Sequence, residues 1–140
     1  MRRKNTSAAA EAERLLAKAR NARESAYAPY SGFRVGAALS TARGDIYVGC
    51  NVENASYSLA ICAERTALFR ALCDGQSKFT ALAVVVDAED LATPCGACRQ
   101  VLSEFADDLV ITLGNLDGKV ETYRLAELFP SPFELRRERS

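Results

Sequence analysis

Along the chain the spacing of apolar positions changes several times, and each change marks an element. From about Ala8 to Ala26 the residues are dense in Ala, Leu, Glu, Arg and Lys, with Ala12, Leu15, Leu16 and Ala19 on one helical stripe. The spacing predicts an amphipathic first helix. Tyr27-Ala28-Pro29-Tyr30-Ser31-Gly32 breaks it, because Pro29 restricts its predecessor and Gly32 frees the backbone. Phe33 to Thr41 and Ile46 to Cys50 read as strands joined by Ala42-Arg43-Gly44-Asp45, a length and composition suited to an antiparallel hairpin. Asn51 to Ile61 holds turn formers without a sustained period, and the run from Cys62 to Leu72 returns to helix. Phe79 to Asp87 is continuously apolar, with Val84-Val85-Val86 indicating a strand buried on both faces. After Pro94 a helix is expected from Cys95 to about Ala106. Strands at Leu109 to Leu113 and Lys119 to Tyr123 then flank Gly114-Asn115-Leu116-Asp117-Gly118, a turn short enough to demand antiparallel pairing. The order α-β-β-α-β-α-β-β implies an α/β fold, a three-layer α/β/α sandwich around a mixed five-stranded sheet. One domain is expected over residues 1–140, with 1–7 flexible and 134–140 a charged tail in which Arg136-Arg137-Glu138-Arg139 is solvated.

Charge and composition narrow the function classes. With 18 basic and 18 acidic residues the formal charge is zero, so no global field draws the protein onto nucleic acid or an anionic membrane. A small neutral substrate suits that balance better. The basic start Met1-Arg2-Arg3-Lys4 is followed by Glu11, Glu13, Arg14 and Lys18 instead of an apolar core, which is not the pattern of an export signal. The longest apolar run, Ala81 to Val86, is far short of the roughly 20 residues of a membrane span. The expectation is a cytoplasmic protein. In a reducing compartment the five cysteines read as ligands, nucleophiles or buried small residues instead of disulfide partners.

Chemistry concentrates in two places. Pro94-Cys95-Gly96-Ala97-Cys98 is a Cys-x-x-Cys pair at a helix start, where the helix dipole and unpaired N–H groups favour thiolates. Cys62 opens the other predicted helix. Since the chain has no histidine, a zinc site must be built from cysteine, carboxylate and water. Cys62, Cys95 and Cys98 supply three ligands and leave the fourth tetrahedral position to water, the pattern of a catalytic zinc. Three thiolates around one Zn²⁺ leave an excess negative charge, which Arg65 or Arg99 is positioned by sequence to offset, Arg65 being favoured. Glu64, two residues after Cys62, has the reach to act as general acid and base without ligating the metal.

Asn51-Val52-Glu53-Asn54-Ala55-Ser56-Tyr57-Ser58, Cys62-Ala63-Glu64-Arg65-Thr66-Ala67 and Pro94-Cys95-Gly96-Ala97-Cys98-Arg99-Gln100-Val101 together resemble the three signature blocks of the small, homotetrameric, zinc-dependent cytidine deaminases. The resemblance spans about Tyr27 to Phe133. It implies a cytidine deaminase-like fold, one Zn²⁺ per subunit, and hydrolytic deamination of cytidine and deoxycytidine to uridine and deoxyuridine in pyrimidine salvage. It further implies that Cys62, Cys95 and Cys98 hold zinc and that Glu64 shuttles protons. Asn51 and Glu53 then read the ribose at its 3′-hydroxyl, Phe33 packs on the nucleoside, and the Ala63 N–H meets the pyrimidine. Arg65, oriented by Gln100, draws electron density from the thiolates, and Phe133 is the candidate for stacking on the base in a neighbouring subunit.

Plainer readings stand beside these. Cys50 completing a four-thiolate site makes a structural zinc knuckle or a zinc-held interaction module, and Cys95 with Cys98 alone makes a redox dithiol. Phe33 and Phe133 read equally as packing residues, Glu53 as a surface carboxylate, and Cys50 and Cys73 as buried structural thiols. Among deaminases, one acting on another aminopyrimidine such as blasticidin S is the nearer alternative. Nucleic-acid editing is disfavoured by the missing histidine ligand and basic channel.

Overall fold

A computed structural model describes residues 2–135; the Arg136-to-Arg139 tail lies outside them. The elements are α1 (Arg2–Arg23), β1 (Val35–Thr41), β2 (Ile46–Cys50), α2 (Ala63–Cys73), β3 (Phe79–Val86), α3 (Gly96–Phe105), β4 (Val110–Asn115), β5 (Val120–Arg124) and α4 (Leu125–Leu128). The strands form one sheet in the order β2-β1-β3-β4-β5. Both hairpins and the β1–β3 pair are antiparallel, whereas β3 and β4 are parallel, so the sheet is mixed as expected.

Period-2 alternation sorts the sheet into two packed faces. Ala37, Leu39, Leu82, Val84, Ile111 and Leu113 point to one side, where Leu68 of α2, Leu102 of α3 and Leu125 of α4 complete the core. Ala38, Ala83 and Val85 point to the other, against Leu15 and Ala19 of α1. Two glycines let helices approach the sheet more closely than any side chain permits. A Cβ at Gly36 would sit 1.9 Å from the Ala19 carbonyl oxygen of α1, and one at Gly49 would sit 2.4 Å from the Ala67 nitrogen of α2.

Several boundaries differ from the sequence reading. The first helix starts at Arg2 and ends at Arg23, so residues 2–7, expected as a flexible lead-in, are helical. Strand β1 begins at Val35 and not Phe33, because the backbone before it bonds to side chains: Phe33 N–H to Ser31 Oγ, and the Phe33 carbonyl to the Asn51 amide. Strand β4 runs through Gly114 and Asn115, placed by sequence in the turn; the Asn115 side chain instead accepts the N–H groups of Asp117 and Lys119 and closes that turn. Tyr57–Leu59 forms a single 3₁₀ turn within the aperiodic segment, and α4 was not foreseen.

Candidate metal centre and its cleft

Helices α2 and α3 begin beside one another, and their first residues build the site. Cys62 is the N-cap of α2 and Cys95 the N-cap of α3, both in extended backbone conformation with no side-chain capping bond, so their thiols are free for other partners. Cys98 lies in the first turn of α3 and is fully buried. The Sγ atoms of Cys62, Cys95 and Cys98 all lie within 4.8 Å of one another, with Cys62 and Cys95 at 3.6 Å. Two sulfurs each about 2.3 Å from a tetrahedral ion stand about 3.8 Å apart, so the spacing and the soft donor set fit zinc. Cys50 is not part of this group, which leaves the four-thiolate knuckle without its fourth sulfur among the described residues.

The charges around the thiols are graded. The neighbouring Cys98 thiol and the Arg65 guanidinium lower the Cys62 thiol to about 5, while the proximity of Cys62 and burial push Cys98 up. Arg65 Nη2 is 3.5 Å from Cys62 Sγ. Arg99, the alternative, donates elsewhere: to the Pro94 carbonyl at 2.7 Å, the Leu128 carbonyl at 2.9 Å and Thr93 Oγ1 at 3.1 Å. It fastens the loop before Cys95 to α4. Glu64 is only 5% exposed, and burial raises its carboxyl above the usual range.

A cleft of about 270 Å³ opens over this cluster. Cys62, Cys95, Glu64, Ala63, Phe33, Asn51 and Glu53 line it, so the structure gathers these sequence-selected residues in one place. Asn51 Oδ1 accepts the Val35 N–H at 2.8 Å and its Nδ2 donates to the Phe33 carbonyl at 2.7 Å. Glu53 Oε1 accepts the N–H groups of Tyr30 and Ser31 at 3.0 and 3.1 Å, and Oε2 accepts the Ser31 hydroxyl. The Ser31 bonds hold the Glu53 carboxyl below its usual range, and it stays ionised.

Two expected residues stand apart. Gln100 was expected to orient Arg65; its Nε2 instead donates to the Phe133 carbonyl at 3.0 Å, and among the described residues no hydrogen bond joins it to Arg65. Two positions past Cys98 on α3 is about 200° round the helix, which turns Gln100 away from the thiols. Phe133 is 68% exposed and does not line the cleft of its own chain. Sequence reasoning also missed the rest of the wall. Ala60 and Ile61 reach it because Val52 and Ile61 form an isolated bridge, and Ala92 and Thr93 reach it from the loop before Cys95.

Comparison with known proteins follows the same lines. Residues 9–113 match the family model described as the cytidine and deoxycytidylate deaminase zinc-binding region. The cytidine deaminase of Sporosarcina psychrophila is 52% identical over 124 residues, covering 88% of this chain and 91% of that one. That of Halalkalibacterium halodurans is 49% identical over 120 residues, covering 85% and 91%. The crystal structure of the cytidine deaminase from Burkholderia pseudomallei superposes with a TM-score of 0.83 at 50% identity, over 86% of this chain and 98% of that one. The cytidine deaminase structure from Mycobacterium tuberculosis gives 0.77 at 40% identity, over 88% and 97%. With three thiols converging at two helix starts over a cleft that also holds Glu64, and with that breadth of similarity, the chain belongs to the cytidine and deoxycytidylate deaminase family.

Proposed function

We propose that this protein is a zinc-dependent hydrolase that converts cytidine and deoxycytidine to uridine and deoxyuridine with release of ammonia. The observation that carries the reading is the convergence of the Cys62, Cys95 and Cys98 sulfurs beneath a cleft that Cys62, Cys95 and the buried Glu64 line. Zinc, held by the three cysteines, supplies the Lewis acidity that makes water nucleophilic near neutral pH.

The chain's own residues do the rest. Glu64 takes a proton from water and delivers it to N3 of the pyrimidine. After addition at C4, it takes the proton of the new hydroxyl and passes it to the amino group, which leaves as ammonia as the C4 carbonyl forms. Phe33 packs on the nucleoside, and the Ala63 N–H at the start of α2 meets the ring. Asn51 and Glu53 read the 3′-hydroxyl, present on both sugars, and in holding it they fix C4 for attack. Arg65 tempers the thiolate charge through Cys62.

A homotetramer and a cytoplasmic location belong to the same proposal. Exposed Tyr30, Tyr57 and Phe133 support the first as apolar surface seeking cover, with Phe133 reaching a neighbour's base. Five free thiols support a reducing compartment; no helix among the described residues is long and apolar enough to cross a membrane.

The test is ammonia release from cytidine, deoxycytidine, cytosine and blasticidin S, with zinc content measured on the same sample. Turnover of the two nucleosides alone is the expected result. Zinc-loaded protein that leaves both untouched would end the proposal.

A further inference from the structure

The loop from Tyr30 to Val35 and the two sugar-reading side chains are one hydrogen-bonded unit. Asn51 ties down Phe33 and Val35, and Glu53 ties down Tyr30 and Ser31. Three of the Glu53 bonds matter for specificity. An ionised carboxylate has about four acceptor sites. The N–H groups of Tyr30 and Ser31 occupy both sites of Oε1, and the Ser31 hydroxyl occupies one site of Oε2. A single acceptor position is left, on Oε2. Ser31 Oγ meanwhile accepts the Phe33 N–H at 3.0 Å, so one hydroxyl joins the carboxylate to the aromatic residue of the same cleft. Of the bonds these loop residues donate to Glu53, the Ser31 hydroxyl provides the one that comes from a side chain; the others come from the backbone and survive any substitution there.

We propose that Ser31 is a positioning residue for sugar recognition: its hydroxyl fixes the rotation of the Glu53 carboxylate, leaves one acceptor position for a sugar hydroxyl, and couples that position to Phe33. The inference rests on the reading of Glu53 as the 3′-hydroxyl acceptor. Without the Ser31 hydroxyl, Oε1 keeps its two N–H donors but Oε2 has two open sites and no tether of its own, and the Phe33 N–H loses its acceptor. A substrate that donates a 3′-hydroxyl then loses affinity. A substrate without that hydroxyl loses only what the freed Phe33 costs, a loss both substrates share.

The zinc-loaded full chain and its Ser31→Ala and Ser31→Thr variants are assayed with deoxycytidine and with 2′,3′-dideoxycytidine. For Ser31→Ala, kcat/KM on deoxycytidine should fall about tenfold, chiefly through KM, the scale of one hydrogen bond to a charged group. On dideoxycytidine it should fall by clearly less, so the preference between the two narrows. Ser31→Thr, which keeps the hydroxyl, should restore it. Equal losses on both substrates, or none, overturn the role of Ser31 while leaving Glu53 in place. A wild-type protein that does not distinguish the two substrates overturns the Glu53 reading and this proposal with it. Should Ser31→Ala not fold, Ser31→Cys, of similar shape with a weak donor, carries the same comparison.

Discussion

Gly49→Ala offers a direct test of how the sheet positions the chemistry. Gly49 lies on β2 opposite Ala37 and faces α2. An added Cβ would stand 2.4 Å from the Ala67 nitrogen, 2.7 Å from the Ala63 carbonyl oxygen and 3.0 Å from the Ala67 Cα. All three are backbone atoms, so no side chain can swing aside. Restoring an ordinary contact of at least 3.4 Å requires sheet and helix to separate by about 1 Å. Overpacking of this kind costs about 1–3 kcal/mol. The consequence for catalysis is larger than for stability, because Ala63 stands between Cys62 and Glu64 and Asn51 follows directly on β2. Whichever element gives way, the distance between the strand end that leads to Asn51 and the helix start that carries Glu64 increases. A misplacement of about 1 Å is worth about 10²-fold in rate.

The assay pairs urea unfolding with kcat/KM normalised to bound zinc. Gly36→Ala is the control, since its Cβ collides with Ala19 and Arg23 of α1 on the opposite face. Gly36→Ala should lose at least as much stability while each folded molecule keeps its activity; Gly49→Ala should lose both. A Gly49→Ala protein with lowered stability and unchanged kcat/KM would refute the claim that this approach sets the site.

Three further outcomes are expected. Glu64→Gln should retain zinc and lose about 10²- to 10⁴-fold in kcat, the range of general acid and base catalysis; metal analysis and steady-state rates check it. Removing zinc with a chelator should abolish activity and lower the thermal midpoint, because the three thiols join two helix starts; an unchanged midpoint speaks against a shared ion. Glu53 has a folded-state pKa below its unfolded one, so its contribution to stability is present above the usual carboxylate range and is lost as pH falls through the lowered value. Wild type should therefore lose more of its thermal midpoint on acidification than Glu53→Gln, and parallel curves would contradict the loop-anchoring role.

What the sequence disclosed follows the range of the interactions involved. Strands and helices came from local periodicity, and the metal triad from short spacings at two helix starts in a chain without histidine. Features set by distant partners left no such trace. Arg99 bonds to Leu128, 29 residues away, and Gln100 to Phe133, 33 away, so neither preference is written in a local pattern. The four residues of α4 are too few for a periodic signal and owe their turn to Leu125 packing in the core. Strand β1 was read two residues early because Phe33 and Arg34 fit the pattern while the backbone bonds of Phe33 itself go to side chains.

The division of labour between Arg65 and Arg99 explains how an all-thiolate site stays workable. Arg65 is three residues from Cys62, one turn along the same helix face, and its guanidinium meets the sulfur. Arg99 adjoins Cys98 but points about 100° away round α3, toward Pro94 and Leu128, and contributes anchorage. With zinc bound, three thiolates would leave one negative charge, and the Arg65 guanidinium lies beside Cys62 where it can offset it. The two helix starts add about half a positive charge each. The surroundings of Glu64 are then mildly positive, and its ionised carboxylate brings the pocket close to neutral, in keeping with an uncharged pyrimidine. Once Glu64 has taken a proton the positive excess returns, and this opposes the pull of burial toward the neutral acid. In the proposed reaction, that balance is what would let the buried carboxyl surrender its proton to a ring nitrogen instead of keeping it.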